Sequence, residues 1–162
     1  MEMVFEVGDM AVYPRQGVTE VLSIEQIEIG GDMHSCYVLR CLDSEKKIRV
    51  PVNNVERVGM RSLVDDAQIV EIMDTLRAPE VAIAEPNWNR RYRRYVEKIQ
   101  SGSLQEVAQV LRDLHLTRAA KQLSYGEKGV YETATQLLVQ ELSVAQGRPA
   151  DEVNAQIEAI LD

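Results

Sequence analysis

The amino-acid sequence predicts an α+β protein, in which a small curled antiparallel β domain (residues 1–60) precedes an all-helical domain of about five helices (residues 61–162). Two observations predict this class. From residue 11 to residue 58 the sequence consists of short strand-like segments separated by turn residues, with no helical period. Beyond residue 61, apolar residues recur at helical intervals and helix-capping residues separate the segments. Strands followed by helices are typical of α+β proteins.

The strands are predicted from alternation and from turn residues. They cover residues 11–13, 18–29, 34–42 and 47–52. Pro14 ends the first strand because its nitrogen cannot donate a hydrogen bond to a central ladder. Gly30 and Gly31 predict a hairpin turn between the second and third strands, since glycine readily adopts positive φ angles. Four or five short strands joined by tight turns imply a small curled sheet or barrel.

The helices are predicted from capping residues. Ser62 and Asp65 have the spacing of a capping box that opens the first helix. Pro79 and Pro86 then interrupt the helical pattern, because proline removes a backbone donor, so this region is predicted as a linker or a bend. The four remaining helices are predicted to begin behind the caps Asn87, Ser103 and Ser124 and at Pro149. The first of these should run to about Gln100.

Composition excludes several classes of protein. An apolar fraction of 45% and a charged fraction of 27% indicate a globular chain that buries a core. No segment approaches the roughly 18 uninterrupted apolar residues of a membrane span, and the N-terminus lacks the basic and apolar stretches of a secretory signal. We therefore expect a cytoplasmic protein.

The cysteine, histidine and glycine patterns do not predict a catalytic, metal or cofactor site. Cys36 and Cys41 lie five residues apart on one predicted strand, so their side chains point to opposite faces and cannot bridge within it. We interpret them as two buried thiols. His34 with these cysteines does not reproduce a four-ligand zinc spacing, and no glycine-rich phosphate loop is present. We therefore predict no metal, no cofactor and no enzymatic activity.

One short basic segment stands out in this acidic protein, whose net charge is −8. Residues 87–100 contain five basic residues and one acidic residue. At about 100° per residue, one face of the predicted helix is apolar and the other basic. The apolar stripe comprises Trp88, Tyr92, Tyr95, Val96 and Ile99, and the basic face comprises Arg90, Arg91, Arg93, Arg94 and Lys98. A basic face suits phosphate backbones, but a solvated face that pairs with acidic residues of the same protein remains open.

The single tryptophan, Trp88, lies on the apolar stripe in the first turn of this helix. Two interpretations remain open. It is a core anchor, as most lone tryptophans are, or it projects from the helix start as an aromatic wedge between base pairs.

Motifs in both halves of the chain resemble the CarD/CdnL family of bacterial transcription regulators that bind RNA polymerase. In the first half the motifs are Val7-Gly8-Asp9, Val12-Tyr13-Pro14 with Gly17, Tyr37-Val38-Leu39 and Arg49-Val50-Pro51. In the second half they are Asn87-Trp88-Asn89-Arg90-Arg91-Tyr92, Val110-Leu111-Arg112-Asp113-Leu114, and Leu123-Ser124 with Gly126-Glu127-Lys128. The resemblance covers about residues 4 to 146.

The resemblance implies a Tudor-like β domain that docks on the RNA polymerase β subunit, similar to the polymerase-binding module of the transcription-repair coupling factor. Arg49, Val50 and Pro51 match the docking segment. The helical domain would contact promoter DNA at the upstream edge of the bubble and stabilise the open complex, with Trp88 as a minor-groove wedge. The implied DNA-binding cations are Arg90, Arg91, Arg93, Arg94, Lys98 and Lys128. We expect a monomer that associates with the nucleoid through RNA polymerase.

The sequence departs from the family pattern at two places. Some relatives carry a basic residue near the end of the second strand, where this chain has Ile27 followed by Glu28. Residues 147–162 match weakly. A competing interpretation is a protein–protein adaptor whose basic helix docks on an acidic partner and whose tryptophan is a core residue.

Overall fold

The computed structural model describes residues 5–79, 83 and 85–162, and it confirms the predicted α+β class. The chain forms two compact units, a β unit up to Leu63 and a helical unit from Val64 onward. The strands are β1 (Met10–Tyr13), β2 (Gly17–Ile29), β3 (Asp32–Cys41), β4 (Lys47–Pro51) and β5 (Arg61–Ser62). The helices are α1 (Val55–Val58), α2 (Asp66–Leu76), α3 (Trp88–Gln100), α4 (Leu104–Ala120), α5 (Tyr125–Gln146) and α6 (Ala150–Leu161).

The β unit is one antiparallel sheet with strand order β4-β3-β2-β1-β5. The predicted hairpin turn is confirmed, because Gly30 and Gly31 have φ angles of 60° and 87° between β2 and β3. A register shift between Val21 and Ser23 interrupts the pairing of these two strands. Such a bulge increases the local twist of a sheet, and it contributes to the predicted curl.

Three elements of the β unit were not predicted from the sequence. They are a single 3-10 turn (Val52–Asn54), the one-turn helix α1 that follows it, and the two-residue strand β5, which pairs with β1. All three are too short to produce a recognisable period. The return strand also begins at Asp32 rather than at His34, because its pairing with β2 continues up to the turn.

The family-like motif residues of β3 form the core of the β unit. Tyr37 and Leu39 are fully buried, and the Tyr37 hydroxyl accepts a hydrogen bond of 3.0 Å from the backbone N–H of Phe5. Cys36 and Cys41 are both buried and neither forms a disulfide, which confirms the interpretation as two buried thiols. Burial raises the pKa of the Cys36 thiol, so this cysteine stays protonated.

The capping residues of the helical unit match the prediction at three helices. The side chains of Asn87, Ser103 and Ser124 accept hydrogen bonds from the backbone N–H groups three residues on. The prediction for the first helix was wrong by one turn, because its capping box consists of Asp65 and Gln68 while Ser62 lies in β5. Pro149 stands just before α6 as its cap rather than as its first residue.

Side chains of α4 bind Ala78 and Ile83, two described residues of the region that was predicted as a linker or a bend. Asp113, which is 1% exposed, accepts a hydrogen bond of 3.0 Å from the backbone N–H of Ile83. The Arg112 guanidinium donates to the carbonyls of Ala78 at 2.6 Å and Leu161 at 2.8 Å. The motif Arg112-Asp113 therefore holds Ala78, Ile83 and the end of α6 onto α4. Residues 80–82 and 84 of the predicted linker lie outside the described residues.

None of the helices among the described residues combines the length and the apolar character that a membrane crossing requires.

Candidate nucleic-acid interface

Helix α3 is anchored in the helical unit by Tyr95, which is 1% exposed. Burial, followed by the nearby Asp113 carboxylate, raises the pKa of Tyr95 to about 12, so its hydroxyl stays neutral. Tyr92, which precedes Tyr95 on the predicted apolar stripe, is 42% exposed. The stripe therefore packs through its centre, and the first turns of α3 are less covered.

Three of the five predicted cations of α3 face solvent. Arg90, Arg93 and Arg94 are exposed, and their side chains make no hydrogen bond or ion pair to any residue that the structure describes. They lie three and four positions apart, so their charges repel each other on the helix surface. This part of the basic face is available to an anionic partner.

The other two cations are engaged within the helical unit, so the prediction of a nearly unbroken basic face is wrong at these positions. Lys98 Nζ donates to Gln109 Oε1 at 2.5 Å. Arg91 is 19% exposed, donates to the Glu85 carbonyl at 2.9 Å, and lies 3.9 Å from the Glu127 carboxylate. Arg91 follows Trp88 by three positions and borders the apolar stripe, so it packs inward with the stripe.

The Trp88 side chain is partly buried. Its ring lies 5.4 Å from the Tyr92 ring between centroids, with an interplanar angle of 50°. The Arg91 guanidinium carbon stands 5.1 Å from the centroid of the Trp88 ring, within the range of a cation–π contact. A methyl group added at Gly126 of α5 would lie 3.2 Å from the ring. The tryptophan thus rests against three neighbours while part of its ring is exposed.

Glu127 is a buried carboxylate at the start of α5, with 1% of its surface exposed. It completes a capping box with Ser124, and it lies 3.6 Å from Lys121 and 3.9 Å from Arg91. Burial by itself raises the pKa of Glu127. The hydrogen bonds from Ser124 and the charges of Lys121 and Arg91 outweigh burial, so the pKa falls below its ordinary value of 4.5.

This lowered pKa predicts a pH dependence of stability. Because the folded pKa lies below the unfolded one, the ionised carboxylate stabilises the helical unit above pH 4.5, and that contribution is lost as the pH falls through the folded pKa. Glu127→Gln can keep the capping box but loses the charge, so we expect it to cost about 1–3 kcal/mol at neutral pH. Urea unfolding at several pH values should show the wild type and the variant converging in acid. A difference that is constant with pH would contradict the prediction.

One residue of α5, Lys128, was predicted to bind DNA, and two residues of the same helix were missed. Lys128 is exposed, and it lines a cavity of about 530 Å³ together with Arg118 and Tyr131. Helical periodicity and charge do not identify Gly126 as a neighbour of Trp88, nor the 95% exposed Tyr125 beside it. Two sequence signals were available: the position of both residues directly after the cap Ser124 and, for Gly126, its place in the family-like motif Gly126-Glu127-Lys128.

On the β unit, the segment predicted to dock on RNA polymerase lies on the edge strand β4. The Arg49 side chain is 57% exposed, and it lies 3.6 Å from the Glu25 carboxylate across the sheet. Val50 is 2% exposed and packs in the core, which removes it as a side-chain contact for a partner. Pro51 is half-buried. The contact of Arg49 and Pro51 with RNA polymerase stays a prediction.

Comparison with known protein families matches both units. Residues 5–64 match the family model of the CarD-like/TRCF RID domain, and residues 71–158 match that of the CarD C-terminal domain. Together these matches span most of the chain. The chain belongs to the CarD/CdnL family. It is thus a member of a family of transcription regulators, and binding to RNA polymerase is what the family implies.

The chain is similar to two further proteins, of which the first agrees with this membership. The chain is 31% identical over 143 residues to YdeB of Bacillus subtilis (strain 168), which is named as a candidate transcription factor, and the match covers 88% of this chain and 93% of the relative. It is also 45% identical to the solved structure "CdnLNt from Myxoccoccus xanthus", with a TM-score of 0.34 over 41% of this chain and 93% of that chain. The CarD C-terminal match extends to residue 158, so it corrects the expectation that the resemblance ends near residue 146.

Proposed function

We propose that this CarD/CdnL chain stabilises the open promoter complex by joining RNA polymerase to DNA. The β unit binds the polymerase β subunit through the exposed face of β4 around Arg49 and Pro51. The helical unit contacts promoter DNA at the upstream edge of the bubble, where Trp88 enters the minor groove as a wedge. The proposed division is residues 1–60 for polymerase and residues 61–162 for DNA, in a monomer.

The observation that supports DNA as the partner is the set of three exposed, unpaired arginines beside a partly exposed tryptophan. Arg90, Arg93 and Arg94 repel one another, and none of their side chains makes a hydrogen bond or ion pair with a described residue. Phosphate oxygens would convert this repulsion into favourable contacts, and release of counterions from DNA adds to the affinity. Lys98 and Lys128 are proposed as further contacts, Lys98 after giving up its bond to Gln109.

Because Trp88 is only partly buried, its position suits a wedge better than a core anchor. Apolar wedges unstack a base step at a cost of a few kcal/mol and regain that energy through contacts with the distorted DNA. A ring that is already held by the protein loses little conformational freedom on insertion.

Polymerase binding supports the DNA contact through effective concentration. Once the β unit is docked, the helical unit meets promoter DNA at a local concentration in the millimolar range for short linkers, so weak contacts suffice. We therefore expect little binding of DNA by the isolated protein.

Reversing the charge of Arg49 tests the polymerase contact. Arg49→Glu should weaken binding to the β subunit at least several-fold, because the exposed guanidinium becomes a carboxylate at the proposed docking strand. Loss of the exposed pair with Glu25 should cost stability by only about 0–1 kcal/mol. Binding would be measured by calorimetry with the purified β subunit, and folding by thermal melting.

Two variants serve as controls for this experiment. Arg57→Glu reverses an exposed charge of α1 in the same unit and should leave polymerase binding unchanged. The exchange of Glu25→Arg with Arg49→Glu restores the ion pair inside the protein, yet it should not restore binding if the partner reads Arg49 directly. Full affinity of a folded Arg49→Glu variant would place the polymerase contact elsewhere.

A further inference from the structure

Arg91 has an environment that phosphate binding does not explain. Its Nη1 donates to the Glu85 carbonyl at 2.9 Å, and its Nη2 lies 3.9 Å from Glu127 Oε2. The same guanidinium stands 5.1 Å from the centroid of the Trp88 ring. Both terminal nitrogens are therefore directed at the protein itself, whereas recognition of a phosphate uses the planar fork of an exposed arginine.

Glu127 is a fixed anchor for this arginine. The Glu127 N–H donates to Ser124 Oγ at 3.2 Å, and Glu127 Oε1 accepts from the Ser124 N–H at 2.9 Å, so the carboxylate has a defined position. Its other oxygen, Oε2, is buried without a hydrogen-bond partner among the described residues and has Arg91 as a charged neighbour. A buried carboxylate oxygen without further partners favours a cation beside it.

Gly126 limits the space of the Trp88 ring. A Cβ at this position would lie 3.2 Å from Trp88 Cζ2, closer than carbon atoms ordinarily approach. Gly129, one turn further along α5, has nothing within 4 Å of its added Cβ. Glycine is unfavourable in a helix relative to alanine, and at position 126 the ring contact accounts for the absence of a side chain.

We propose that Arg91, Gly126 and Glu127 form a seat that fixes the orientation of the Trp88 ring before DNA arrives. Arg91 is then a positioning residue rather than a phosphate contact. The seat holds the ring in one orientation, so that less conformational freedom is lost when it inserts between bases. This inference rests on the proposed role of Trp88 as a wedge.

A pair of glycine substitutions in the full-length protein tests the seat. Gly126→Val places two methyl groups against the ring, whereas Gly129→Val makes the same change on the same helix in open space. Trp88 is the only tryptophan, so its fluorescence, its quenching by acrylamide and its indole N–H resonance report on this ring alone. We expect Gly126→Val to shift all three signals and to shorten the lifetime of open complexes several-fold. Gly129→Val should match the wild type in both measurements.

Arg91→Lys separates positioning from phosphate binding. Lysine keeps the charge but lacks the planar group that stacks on Trp88 and reaches both Glu85 and Glu127. The seat predicts shifted Trp88 signals and a several-fold shorter open-complex lifetime, with an unchanged dependence of promoter binding on salt. A phosphate contact predicts unchanged Trp88 signals, since lysine also binds phosphate as a point charge.

The outcomes distinguish this inference from the proposed function. Wild-type Trp88 signals in both Gly126→Val and Arg91→Lys would overturn the seat. Shifted signals with wild-type open-complex lifetimes would overturn its role in promoter opening. If Trp88→Ala itself leaves open complexes unchanged, the wedge fails as a function, and the spectra alone decide whether the seat exists.

Discussion

Replacing Trp88 by alanine should abolish most of the effect on promoter opening while the protein stays folded. Base–aromatic stacking is worth about 1–3 kcal/mol per base, so the lifetime of open complexes should fall by between about fivefold and a hundredfold. Full burial of a tryptophan would make its loss cost about 3–5 kcal/mol, but Trp88 is only partly buried, so we expect about half of that. Open-complex lifetime would be measured after challenge with a competitor polyanion.

The control for this variant loses stability in the core of the same unit but keeps the ring. Ile157→Val removes one methylene from the core of the helical unit, where Ile157 is 1% exposed, and typically costs about 0.5–1.5 kcal/mol. It should leave open complexes unchanged, and both variants should retain affinity for polymerase. A Trp88→Ala protein that is unfolded, or one that is folded and fully active, would contradict the wedge.

Neutralising Arg90, Arg93 and Arg94 together should weaken promoter binding and flatten its dependence on salt. Each lost phosphate contact reduces the slope of log affinity against log salt by about 0.9, so three contacts reduce it by nearly 3. Sequence preference should barely change, because phosphate contacts position a protein without reading bases. Thermal stability should be unchanged or slightly higher, since the substitutions to glutamine relieve repulsion along α3. The slope would be measured with polymerase present.

The matched control is the pair Arg77→Gln and Arg148→Gln. Both cations belong to the helical unit and already pair with carboxylates of the same unit, Asp74 and Glu152. Their loss makes the protein more acidic without removing the proposed contacts, so the salt slope should stay near that of the wild type. An unaltered slope in the triple variant would favour the competing adaptor, whose basic helix meets an acidic protein.

Much of the fold could be predicted because its signals are local. The alternation from residue 18 to residue 29, the Gly30-Gly31 turn and the caps Asn87, Ser103 and Ser124 act through neighbouring residues, and the structure confirms them. The first helix cap was misplaced because Ser62 and Asp65 both fit a capping pattern. Only the pairing of β5 with β1 assigns Ser62 to the sheet.

The same holds for the candidate site: local sequence patterns predicted part of it, and the rest depends on tertiary contacts. The sequence by itself determined the α+β class, the family resemblance and the presence of a basic helix that starts with the single tryptophan, because these depend on order and spacing along the chain. Only the tertiary structure decided that Arg91 turns inward to Glu85 and Glu127, that Gly126 lies against Trp88, and that Val50 is buried. These contacts join residues on different elements, where packing and the pairing of a buried carboxylate, rather than helical periodicity, determine which side chains remain exposed.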